Sequence, residues 1–260
     1  MFRYLIAGIL AGPFIIWDYF VWMIKYSMHP EKYPLKERYA RVSALCRRAL
    51  LSFRSDIKVV GKENIPNESC LLVCNHLSMF DPLTFLTVMN DTPLAILAKK
   101  ETSKIPFVGR CVRSIDGEYI DRGDIKQSLR VMMSIESDLK KENKHWLIFP
   151  EGTRSKDPRC NIGEFHHGTF RPAYRSEVPI IPCCVYGTFR VGKLKPTHKK
   201  YPIYIEFGTP ILYKDYKDLS TQEIAVIVRN EVQKMLSYHA RKYDSEAMSK
   251  FNPDTYNRNE

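Results

Sequence analysis

The chain has no Cys-x-x-Cys pair, no P-loop and no Gly-x-Gly-x-x-Gly fingerprint. Those absences leave no sequence sign of a dithiol redox motif or a nucleotide-binding loop. No internal repeat and no low-complexity tract is present, and Pro, Gly and Ser are scattered, so no linker divides the chain. With 260 residues it is long enough for one sizeable core. The seven cysteines are an odd number, and several lie inside apolar runs, where the thiol acts as a small hydrophobe. The expected setting is a reducing compartment without a disulfide framework. Cys160 with His166 and His167 does not have a standard ligand spacing, so no metal site is expected. Acids are scarce relative to bases, 29 against 40, giving a formal charge of +11. Such a balance suits nucleic acid, an anionic membrane or a phosphorylated substrate alike. No stretch resembles an RNA- or DNA-binding motif, so no nucleic-acid partner is expected.

One stretch organises what is present. The apolar run Cys70–Cys74 reads as a short buried strand. Asn75-His76-Leu77-Ser78-Met79-Phe80-Asp81 follows it, and Pro82 then opens a helix reaching about Met89. His76 therefore falls on a strand-to-helix turn. Histidine is the side chain best suited to accept a proton near neutral pH, and a carboxylate on one ring nitrogen fixes its tautomer. Asp81 has two open roles: that carboxylate, or the N-cap of the helix. Ser78 is expected to bond its local backbone rather than act as a nucleophile.

Three further blocks follow in order. They are Gly117-Glu118-Tyr119-Ile120-Asp121-Arg122, Phe149-Pro150-Glu151-Gly152-Thr153-Arg154-Ser155 and Val178-Pro179-Ile180-Ile181-Pro182. With the His76-x4-Asp81 block they resemble the signature of the glycerolipid acyltransferases, in particular the 1-acyl-glycerol-3-phosphate acyltransferases. Tyr119 stands where that family usually has Phe, which keeps the ring. Phe165-His166-His167-Gly168 resembles the continuation of the third block. The resemblance spans roughly residues 60 to 210.

It implies transfer of a fatty acyl group from a thioester of acyl-carrier protein or coenzyme A to the sn-2 hydroxyl of lysophosphatidic acid, giving phosphatidic acid. Within the same family, glycerol 3-phosphate or another lysophospholipid is the alternative acceptor. No bound cofactor and no metal is implied. His76 would be the general base and Asp81 its orienting partner. Arg122 and Arg154 occupy the arginine positions of their blocks, and guanidinium forks suit phosphate oxygens. Glu151 would bind the glycerol or brace an arginine. Gly152 and Thr153 would bring backbone N–H groups near an anion. Lys100, after the apolar run Leu94–Ala98, is a further phosphate candidate. Val178, Pro179, Ile180 and Pro182 would form an apolar wall in the acyl-donor region. A thioesterase, with His76 activating water, is the competing enzyme; a peripheral binder of anionic membrane or nucleic acid, using the basic N-terminal half, is the competing non-enzyme.

The fold expected is α/β, a mixed sheet covered by helices, with an N-terminal membrane-associated helical segment. Residues 1–54 would be membrane-anchoring helices, 55–245 the acyltransferase domain and 246–260 a polar tail. Leu5 to Ile24 is long enough and apolar enough to cross a bilayer, although Asp18 and Pro13 interrupt it. Spanning, entry into one leaflet, a buried core helix and a signal peptide are all open. Val42, Leu45, Cys46, Ala49, Leu50 and Phe53 form one face of a helix flanked by arginines, including Arg38. Between residues 25 and 60 there are nine Lys or Arg against three acids, which suits an anionic membrane surface and places the catalytic part on the cytoplasmic side. Further helices are expected after Asp124, with Ile125, Leu129, Met132 and Leu139 inward, and over Gln222–Tyr238, with Ile224, Ile227, Val228, Val232 and Met235 inward.

Overall fold

A computed structural model describes residues 9, 12–141, 144–155, 161–192 and 200–246, with side chains described up to 242. The expected polar tail, Cys160 and residues 5–8, 10 and 11 of the apolar N-terminus lie outside the described residues. Seven strands form one sheet: β1 (Ser55–Val60), β2 (Leu71–Cys74), β3 (Leu94–Lys99), β4 (Glu118–Ile120), β5 (His145–Ile148), β6 (Ile180–Tyr186) and β7 (Tyr201–Phe207). Their spatial order is β1-β7-β6-β2-β5-β3-β4. From β6 to β4 every neighbour is parallel; β7 runs antiparallel to β6. The mixed α/β fold is thus the expected one.

Parallel sheets bury both faces, so their strands read as unbroken apolar runs. The period of two then sorts the side chains. Leu71, Val73, Trp146, Ile148, Ile180 and Cys184 enter one core; Leu72, Cys74, Leu147, Ile181, Cys183 and Val185 enter the other. Helix α1 (Leu35–Ser52) and helix α2 (Asp81–Val88) cover the second face, joined by α3 (Pro106–Ser114). Helix α4 (Ile125–Lys140), the short α5 (Arg171–Ser176) and α6 (Thr221–Glu246) cover the first.

Three helical expectations are corrected. On α4, Met132 and Leu139 face inward with Val131 and Ile135, but Ile125 is 75 % exposed and Leu129 is also exposed. At 100° per residue the buried stripe is centred on Ile135, which turns Ile125 and Leu129 away. On α6, Ile224, Val228 and Val232 are buried with Leu236, whereas Ile227 is exposed. Arg38 does not belong to a solvated basic face of α1. It is buried, with Nη1 and Nη2 at 2.7 and 2.9 Å from the two carboxylate oxygens of Asp116.

At the N-terminus, residues 12–28 are helical, with i→i+5 bonding through Tyr19–Met23. One face is internal: Trp22, Met23 and Tyr26 are buried in the same core as Val42, Leu45, Phe85 and Ile203. The segment set apart at residue 54 therefore packs continuously with the sheet. Asp18 is buried and satisfied, accepting from Trp22 Nε1 at 2.7 Å and pairing with Arg48 at 3.1 Å. The other face exposes Phe14, Ile16, Trp17, Phe20 and Val21. No helix among the described residues is long and apolar enough to cross a membrane.

The described cysteines, 46, 70, 74, 111, 183 and 184, are free thiols. Burial raises the Cys46 thiol to about 12, as expected for a cysteine acting as a hydrophobe.

Candidate active site

Because β6, β2, β5, β3 and β4 are parallel, their C-terminal ends lie along one edge of the sheet. That edge is where α/β folds place ligands. It gathers Thr188, His76, Glu151, Lys100 and Arg122, in that order across the sheet.

His76 leaves β2 and turns straight into α2. Its Nδ1 lies 2.7 Å from Asp81 Oδ2. The same oxygen accepts from the N–H groups of Leu77 at 2.7 Å and Ser78 at 2.8 Å. Asp81 Oδ1 accepts from the Thr188 hydroxyl. Asp81 is 0 % exposed. A buried carboxylate is costly unless every lone pair is used, and here four donors use them. Between its two open roles, Asp81 has thus turned away from the helix it begins and back towards the histidine. The Ser78 hydroxyl accepts from Phe80 N–H at 3.2 Å, a local backbone bond.

The main chain of the turn is held as firmly. His76 N–H donates to Glu151 Oε1 at 2.9 Å, and His76 O accepts from Ser155 N–H at 2.7 Å. Asn75 donates to Val185 O and accepts from Val185 N–H, both at 2.9 Å. The His76 ring stacks on Phe149 with centroids 4.5 Å apart. With its side chain 21 % exposed, the imidazole has no partner at Nε2 among the described residues. This ring is fixed on one nitrogen and open on the other.

Glu151 does not face outward. Its second oxygen accepts from Gly163 N–H at 3.0 Å, so the carboxylate ties the His76 turn to the loop at 161–165. Burial pushes its carboxyl above the usual range, opposed by these two N–H donors. Gly152 adopts φ +67°, and a Cβ there would fall 1.7 Å from Arg122 Nη1. The left-handed conformation favours glycine, and a side chain there would displace the Arg122 guanidinium. Arg122 donates to Gly152 O at 2.5 Å, and desolvation lowers the pKa of its guanidinium. Thr153 and Arg154 are exposed. Lys100 pairs with Asp121 at 2.8 Å, and this bond holds the Asp121 carboxyl below its usual range.

The block Val178–Pro182, expected as an apolar wall, is internal to the fold. Val178, Pro179, Ile180 and Pro182 are all buried. Ile180 pairs in register with Leu71 and Pro182 with Val73, so the block is the start of a central strand. Among the described residues no group of three or more His, Cys, Asp or Glu could hold a metal ion. Sequence reasoning passed over Thr188 and the stacking role of Phe149. The pointer available was position: Gly187-Thr188 follows an apolar strand end, as His76 does.

The fold thus sets a His–carboxylate turn at the C-terminal edge of the parallel part of the sheet, with basic residues beside it. The chain belongs to the Acyltransferase family, whose model matches residues 56–186. It is similar to a probable 1-acyl-sn-glycerol-3-phosphate acyltransferase of Mycoplasma pneumoniae, 28 % identical over 228 residues, covering 83 % of this chain and 84 % of that one. A 1-acyl-sn-glycerol-3-phosphate acyltransferase of Saccharomyces cerevisiae is 29 % identical over 133 residues, covering 51 % of this chain and 44 % of the yeast protein. The crystal structure of the 1-acyl-sn-glycerophosphate (LPA) acyltransferase of Thermotoga maritima superimposes with a TM-score of 0.63 at 25 % identity, covering 94 % of each chain.

Proposed function

We propose that the enzyme transfers a fatty acyl group from a thioester of acyl-carrier protein or coenzyme A to the sn-2 hydroxyl of lysophosphatidic acid, forming phosphatidic acid. The observation that carries this reading is the His76–Asp81 pair with Nε2 left open. An alcohol is a poor nucleophile until its proton is taken, and Nε2 takes it as the hydroxyl oxygen attacks the thioester carbonyl. Asp81 stabilises the imidazolium that forms. Collapse of the tetrahedral intermediate expels the thiolate, which recovers the proton from His76. No protein nucleophile is needed. Arg122 and Arg154 supply guanidinium groups for the acceptor phosphate beside the turn. Lys100, already paired with Asp121, acts through the local positive field.

The exposed apolar face of Phe14, Ile16, Trp17, Phe20 and Val21 lies in one leaflet of the membrane, in this reading, while Trp22, Met23 and Tyr26 hold the helix to the core. Trp and Phe on one face with exposed Arg41, Arg47 and Arg48 nearby suit an anionic interface. The catalytic part then sits at the cytoplasmic surface, where both the acyl donor and the lipid acceptor reach it.

The test is transfer from a labelled acyl thioester to lysophosphatidate in vesicles, with His76→Ala and Arg154→Ala alongside. Labelled phosphatidate from wild type, its loss in His76→Ala and a raised acceptor KM in Arg154→Ala are expected. Release of free fatty acid in place of phosphatidate would replace this reading with a thioesterase. Preferential acylation of glycerol 3-phosphate in competition would replace the acceptor.

A further inference from the structure

We infer that Thr188 is a positioning residue for the His76–Asp81 pair, holding the Asp81 carboxylate in the one rotation that keeps the proton on His76 Nδ1. The inference rests on the reading of His76 as the base. Thr188 lies 107 residues beyond Asp81 and outside all four sequence blocks.

Strand β6 carries it there. The chain leaves the strand through Gly187 at φ +95°, where a Cβ would meet Pro202 O at 2.6 Å. A glycine turn is therefore built in at this point. Bonds from Arg190 N–H to Gly187 O at 3.1 Å and from Val191 N–H to Thr188 O at 3.0 Å close it. The pair of hydrogen bonds between Asn75 and Val185 fixes the same strand end against the histidine turn. Thr188 is fully buried, and its hydroxyl donates to Asp81 Oδ1.

Asp81 uses its two oxygens unequally. Oδ2 serves His76, Leu77 and Ser78, while Oδ1 is bonded to Thr188. Removing the hydroxyl leaves Oδ1 buried without this donor. The carboxylate then gains by rotating about its Cβ–Cγ bond to share the remaining donors between its oxygens. That rotation lengthens the bond to Nδ1 and releases the imidazole to carry its proton on Nε2. A histidine protonated only on Nε2 presents a donor where the substrate hydroxyl needs an acceptor. Strand β6 thereby acquires a role at the site without touching the acyl donor: it is the arm that brings the hydroxyl to the carboxylate.

Thr188→Val keeps the shape and deletes the hydroxyl; Thr188→Ser keeps the hydroxyl and deletes the methyl. The deciding readout is the tautomer of His76, read by nitrogen-15 NMR of the neutral imidazole, together with thermal melting. Wild type and Thr188→Ser are expected to show one tautomer, protonated on Nδ1, and Thr188→Val a mixture. In the acyl-transfer assay kcat should fall about 10- to 100-fold in Thr188→Val with acceptor KM nearly unchanged, and recover in Thr188→Ser. If Thr188→Val does not fold, Thr188→Ala takes its place. A wild-type tautomer in the hydroxyl-deleted variant overturns the inference. So does a serine variant as impaired as the valine one at equal melting temperature. The tautomer is read without any substrate, so a failure of the acyl-transfer reading leaves this test intact.

Discussion

The His76 turn and the rim of basic residues beside it lie on the same sheet edge but are built in opposite ways. In the turn, a fully buried carboxylate accepts four hydrogen bonds, and the histidine's own N–H and C=O are both bonded to the loop at 151–155. On the rim, Arg154 is exposed, Arg122 rests on one carbonyl, and Lys100 meets a single carboxylate in solvent. A group that moves a proton needs one geometry, because its effect depends on the transition state being met without rearrangement. Cations that attract a phosphate act over a longer range and tolerate side-chain motion. Damage to the turn should therefore appear in kcat, and damage to the rim in acceptor KM.

The sharpest way to break this contrast is Asp81→Ala. It removes the orienting carboxylate and leaves two buried N–H groups and a buried hydroxyl without this acceptor. We expect kcat to fall by about 10²- to 10⁴-fold, together with a lower melting temperature. Retention of even a tenth of the activity in steady-state assays would show that the turn is not what sets the rate.

The pH dependence of the turn can be read only while the protein stays folded, and a second histidine limits that range. His145, at the start of β5, accepts from Cys70 N–H through Nδ1, and burial lowers its pKa to about 4. In the unfolded chain it takes a proton near pH 6.5. Its neutral form thus contributes stability that is complete above about pH 6.5 and is lost as pH falls towards 4. The loss amounts to about 3 kcal/mol on the low-pH side. Denaturant titrations at pH 7.5 and pH 5 should show the decline, and His145→Gln should flatten it. An unchanged slope in that variant would assign the acid sensitivity elsewhere.

The smallest expected effect is on the rim. Gly152→Ala forces a Cβ into the space of the Arg122 guanidinium and strains a left-handed residue. Acceptor KM should rise by roughly tenfold, with kcat changed by less than about threefold. A loss confined to kcat would mean that the rim and the turn are one rigid unit, and the contrast drawn here would fail.

Much of this was legible beforehand, for reasons that can be named. The runs at residues 70–74 and 94–98 lack polar alternation, which suits strands covered on both sides. The four blocks marked His76, Asp81, Arg122 and Glu151 as worth attention before any contact was known. Other readings failed where a local pattern had two solutions. Ile125, Leu129 and Ile227 fit an apolar stripe by spacing, but adjacent residues fit it better, and only the position of the sheet chose between them. Arg38 looked like surface charge because its partner, Asp116, is 78 residues away. The N-terminal run left a span, entry into one leaflet and a core helix open by composition alone; over residues 12–28 one face packs in the core and the other is exposed.

The sequence by itself determined apolar runs that become central strands, the strand-to-helix turn bearing His76, and the chemistry those side chains can perform. These follow from periodicity and residue type, which act over a few residues. Only the tertiary structure decided the strand order, the backward turn of Asp81, the burial of Glu151 between two N–H groups and the arrival of Thr188 beside the carboxylate. Parallel strands are joined by long crossovers, and the pairing of distant segments is set by how both faces of the whole sheet are buried together.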